Sequence, residues 1–81
     1  MKLELYTRVV LVRDVVDQGL RRGDLAWLVD LLDHPSGGEE GAVLEIFNVL
    51  GESLRLVTVP VSAIAPAHAD QVPAARELAL V

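Results

Sequence analysis

The sequence predicts an all-β fold, a small barrel of five strands followed by a C-terminal arm. Three observations carry that expectation. Runs of aliphatic and β-branched residues recur along the chain, several with alternation at period two. Glycine-containing turns punctuate them at Gly19/Gly23, Gly37/Gly38 and Gly51. The connections are too short for crossover helices, so neighbouring strands run antiparallel as a meander.

Taken in order, residues 5–13 hold Tyr6, Thr7, Val9, Val10 and Val12, types that favour a strand. Residues 14–24 read as a polar loop ending in Gly19-Leu20-Arg21-Arg22-Gly23-Asp24. In the second strand, 25–33, Leu25, Trp27, Val29 and Leu31 share one face. Ala26, Leu28 and Leu32 lie on the other, interrupted by Asp30. A helix over 25–33 is the competing reading, because leucine and alanine are helix formers, but the apolar faces fit period two better than 3.6. His34 to Glu40 is an exposed hairpin loop. The third strand, 41–47, sets Leu44 and Ile46 against Val43, Glu45 and Phe47. Gly51 is expected at positive φ in the turn before the fourth strand, 53–59, which Pro60 ends. Val61-Ser62-Ala63-Ile64 forms one tight turn, and a short last strand lies near Ala65. Five strands of this size close most economically as an SH3-like barrel, which removes exposed edges.

The expected domain is residues 1–66, with the arm at 67–81. Pro73-Ala74-Ala75-Arg76-Glu77-Leu78-Ala79-Leu80 reads as a short helix with proline in its first turn. Val72, Ala75 and Leu78 would share a face. So short a helix is not stable alone and must dock or fray. The expectation is that it packs on a neighbouring subunit or partner; the alternative is that it packs back on its own barrel.

Composition narrows the function classes. Eighty-one residues give one small domain with limited interior. The chain is 52% hydrophobic, and its six glycines bring the apolar share to about 59%, against an ordinary 45–50%. Some of that excess is expected at an interface. The net charge is −5 and the pI about 4.7, with arginines scattered, so nucleic acid is not an expected partner. No apolar run reaches a membrane-spanning length, and Met1-Lys2-Leu3-Glu4 is too polar for a signal peptide. The absence of cysteine fits a reducing cytoplasm.

No residue set points to catalysis. His34 and His68 are isolated from each other and from other ligand types, whereas zinc needs three or four ligands. Glu39-Glu40 reads as a solvated loop rather than an acid–base pair. Ser36-Gly37-Gly38 lacks the lysine of a phosphate-binding loop and is followed by two acids. Ser53, Thr58 and Ser62 have no histidine partner in the sequence. Arg21-Arg22 reads as a solvated loop face. Trp27, the only tryptophan, is either a core or subunit-interface residue or a binding anchor. The residues expected to form an interaction surface are Ala26, Trp27, Leu28, Leu32, Val72, Leu78 and Leu80. On that expectation Leu28→Asp would dissociate an oligomer and leave the barrel folded. No metal, cofactor or catalytic residue is expected.

Several segments match a family pattern: Leu5-Tyr6-Thr7-Arg8-Val9-Val10-Leu11, Gly19 to Asp24, Val43-Leu44-Glu45-Ile46-Phe47, Gly51 to Val59 and Ser62-Ala63-Ile64-Ala65-Pro66. On these, spanning 5–66, the chain resembles the small bacterial proteins of domain-of-unknown-function family 4926. The resemblance implies a small β-barrel and no established activity. By analogy with small members of two-gene cassettes it implies an antitoxin or inhibitor-like role. The pattern is also similar to the wider KOW theme Gly-Asp-x-Gly-x-Val, from which this chain departs: Ala26 replaces the second glycine and Trp27 follows. The expected function is a non-catalytic protein-interaction module that self-associates or binds a protein partner. A KOW-like nucleic-acid-binding module is the alternative, and a small hydrolase ranks last.

Overall fold

The computed structural model describes residues 3–34 and 36–78. Five antiparallel strands form one sheet: β1 (Thr7–Leu11), β2 (Leu25–Leu32), β3 (Gly41–Phe47), β4 (Ser53–Pro60) and β5 (Ile64–Pro66). Their spatial order is β4-β3-β2-β1-β5. A 3-10 turn, Val61–Ala63, carries the chain from β4 at one end of the sheet to β5 at the other. Its Ala63 carbonyl accepts the Val12 N–H at 2.8 Å, and its Val61 N–H donates to Glu40 at 2.9 Å. This is the all-β, small barrel-like fold of five antiparallel strands that the sequence predicts, except that β4 and β5 do not pair with each other and so leave two edges. Among the described residues no helix is long and apolar enough to cross a membrane.

One face of the curled sheet makes the core. Val9 and Leu11 of β1, Ala26 and Leu28 of β2, Ala42, Leu44 and Ile46 of β3, and Val57 and Val59 of β4 are all buried in it. Strand β3 shows the period-two rule without interruption, since every second residue is buried.

Strand β2 departs from its expected faces. A bulge between Leu28 and Asp30 shifts the register against β3. The inward positions therefore change parity, from Ala26 and Leu28 before the bulge to Leu31 after it. Leu32 is left on the exposed side, opposite Gly41. Leu28 is fully buried. It is a core residue rather than an interface residue, and Leu28→Asp would place an unpaired carboxylate in the core and unfold the barrel. Ala26 is buried in the same cluster.

The segment read as a polar loop, 14–24, is also part of the core. Val15 and Leu20 pair as an isolated bridge around a 3-10 turn, Val16–Gln18, and both side chains are buried. Polar neighbours hide them from a periodicity reading. The loop is tied back where the Gly23 N–H donates to Leu11 and the Leu11 N–H to Asp24, each at 2.8 Å. Gly23 takes φ +94°, a conformation that side chains with a Cβ resist.

Candidate functional site

The arm runs over its own barrel. After β5, the Ala67 N–H donates to the Arg8 carbonyl at 3.1 Å, and residues 68–71 form a turn closed by Gln71 N–H on the His68 carbonyl. Val72 and Pro73 then line a small open pocket with Val10, Gly23 and Leu25. Val10 is buried although it does not belong to the core cluster, and it lines that pocket together with these arm residues. Residues 71–78 form no helix, contrary to expectation. Val72 stands where an N-cap would be needed and has no side-chain oxygen for the free N–H groups.

Arg76 and Asp24 hold the arm in place. The guanidinium Nε donates to Asp24 Oδ1 at 2.8 Å, a second nitrogen pairs with Oδ2, and that nitrogen also donates to the Gly19 carbonyl at 3.0 Å. The Arg21 N–H donates to Asp24 Oδ2 at 2.8 Å. Burial pushes the Asp24 carboxyl up, but the bonds from Arg76 and the Arg21 backbone outweigh it, and the net result lies below the ordinary value. Arg76 is raised in turn by the hydrogen bond to Asp24. The glycine-flanked turn, read from sequence as fold punctuation, is thus also the dock for the arm.

Between arm and barrel lies an open groove of about 830 Å³, with Trp27, Phe47, Val49 and Leu54 on the barrel side and Pro73 to Leu78 on the other. Trp27 points outward from β2, 36% exposed. Its cross-strand neighbours are Arg8 and Glu45. The Arg8 guanidinium lies 5.8 Å from the indole centroid, a cation–π distance. The Glu45 carboxylate accepts the Ser53 hydroxyl at 2.8 Å. In the turn after β3, Asn48 Oδ1 accepts the N–H groups of Leu50 and Glu52, and Gly51 adopts φ +83° as expected. Val49 and Leu50 are exposed on this turn, and Val49 lines the groove.

The expected interaction residues therefore separate. Trp27 lines the groove, and Leu78 lines it while packing against the core. Val72 is 88% exposed on the arm. Leu32 is exposed at the far end of β2, outside the groove lining. Ala26 and Leu28 belong to the core, and Leu80 lies outside the described residues. Sequence reading missed Arg8, Phe47, Val49 and Leu54, whose convergence depends on strand register, and Asp24 with Arg76, which are 52 residues apart.

Several of the polar residues weighed for chemistry make structural hydrogen bonds. His34 Nδ1 accepts the Ser36 N–H at 3.1 Å. The Glu39 carboxylate, read as solvated loop, accepts the Ser62 N–H at 2.6 Å, and its bonds to Ser62 hold it below the ordinary carboxylate range. The Ser62 hydroxyl accepts from Arg13 at 3.3 Å. Among the described residues, no three His, Cys, Asp or Glu side chains are grouped to hold a metal.

Comparison with protein-family models, with curated proteins and with solved structures finds no match to this chain.

Proposed function

We propose that this protein is a non-catalytic interaction module whose groove takes up an extended apolar segment of a protein partner. The carrying observation is Trp27, a large side chain left partly open to solvent in an apolar groove of about 830 Å³. Aromatic side chains in such pockets supply much of the binding energy of protein interfaces. The arm forms the opposite wall without any regular structure of its own, so it can adjust to what enters. An inhibitor-like or antitoxin-like role, implied by the resemblance to family 4926, would work through this groove. Absence of cysteine and the acidic charge suit a cytoplasmic setting.

Trp27 supplies its own readout, being the only tryptophan. Affinity capture from native cells should retain a partner on the wild-type chain and on Val16→Ala, a variant at an exposed site outside the groove. Trp27→Ala should lose it. The purified partner should shift Trp27 emission to the blue as water leaves the indole. A partner held equally by Trp27→Ala, or an emission spectrum that does not move, sinks the reading. Duplex DNA or RNA that binds with steep salt dependence would instead favour the nucleic-acid module.

A further inference from the structure

The two ends of the sheet are finished differently. At one end β5 has three residues and closes with Pro66, which has no N–H to offer. The next N–H, of Ala67, is already bonded to Arg8. At the other end β4 has eight residues, and β3 pairs along only one of its sides. Alternate residues of an edge strand turn their N–H and C=O groups away from the neighbour. On its far side β4 makes no backbone hydrogen bond to another described residue.

Proteins usually protect a long edge with lysines, an internal proline or a bulge. Strand β4 has no lysine, and its proline is its last residue. The register shift against β3 falls at its beginning, so the run from Arg55 to Pro60 is continuous. Its one charge, Arg55, is turned aside, with the guanidinium donating to the Gln18 carbonyl. Leu56 is 62% exposed in the middle of the strand, and Thr58 is exposed beside it.

We propose that β4 is a self-association edge, at which a second copy of this chain pairs antiparallel and joins two sheets into one. The sequence of the strand selects the register. With the two-fold axis at Leu56, each Leu56 meets its counterpart, Leu54 meets Thr58, and Arg55 meets Val57. No like charges then face each other. With the axis one residue earlier, the two Arg55 side chains would stand opposite. The chain carries a net charge of −5, but β4 contains no acidic residue, so two copies meeting along it do not bring strand carboxylates together. A single strand pair is a small interface, so the dimer is concentration-dependent.

The β4 edge shares only Leu54 with the groove lining, and Leu56 and Thr58, the positions tested, lie outside it. Sedimentation velocity on the full chain over a wide concentration range should show a monomer–dimer equilibrium. Leu56→Lys and Thr58→Lys should each shift it to monomer by at least tenfold in dissociation constant, with melting temperature unchanged. Trp27→Ala should leave it in place. Amide exchange across 54–58 should slow as wild-type concentration rises, a readout that does not depend on any variant folding. A wild-type chain that stays monomeric, a dimer indifferent to both lysines, or exchange protection that appears on the arm instead of β4 overturns the proposal.

Discussion

Strand β3 and the arm segment 71–78 are both rich in aliphatic side chains, and the fold treats them in opposite ways. In β3, paired on both sides by β2 and β4, every second residue is buried. Backbone pairing fixes its direction, and the pleat then sorts its side chains without further help. In the arm, the backbone has no strand to pair with, and one arginine decides its position. The lesson is that apolar content alone does not order a segment. Periodicity becomes structure where neighbouring strands satisfy the backbone, and elsewhere a single polar contact selects the path.

The contrast breaks most visibly in the barrel. Leu28→Ala should cost about 2–5 kcal/mol in urea denaturation, because a fully buried leucine leaves a cavity in a close-packed core. A loss well below that range would mean that the core relaxes as freely as the arm. A smaller effect is expected at the turn after β3. Gly51→Val forces a β-branched residue into positive φ and should cost about 1–2 kcal/mol. Equal stability would show that the turn can change type without disturbing the strands it joins.

The smallest effect on stability belongs to the arm. Arg76→Ala removes a partly exposed ion pair, so global stability should fall by no more than about 1 kcal/mol. The same change should free residues 71–78, seen as faster proteolytic cleavage within that segment and a red shift of Trp27 emission. Acid should mimic it. The Asp24 carboxyl is depressed in the folded chain, so its stabilising contribution is present above the ordinary carboxylate pKa and is lost as pH falls through the lowered value. Arm release should therefore follow titration of Asp24 and disappear from the pH profile in Arg76→Ala. An arm that stays protected in both cases would show that Leu78 packing, not the ion pair, holds it.

Much of the barrel is legible in the sequence because its information is local. Glycine-bearing turns separate the first four strands, and alternation in 41–47 states which side faces the core. The bulge in β2 is not legible, since Val29 looks like any other strand residue and only the pairing with β3 reveals the extra position. The interaction surface is misread for a different reason, since Ala26 and Leu28 precede the bulge. A straight strand offers two apolar faces, whereas a curled sheet closes one of them, the face of Leu28 and Ala26, over the core.

By itself, then, the sequence determined the strand count, the positions of the turns and the excess of apolar residues a small interior cannot hold. Each follows from properties of neighbouring residues: β-branching, glycine at positive φ and short-range periodicity. Only the tertiary structure decided that Val15 and Leu20 belong to the core, that Trp27 faces a groove, and that Arg76 returns to Asp24. Those outcomes depend on strand register and chain reversal, which bring together residues far apart along the chain, and no local preference encodes such a meeting.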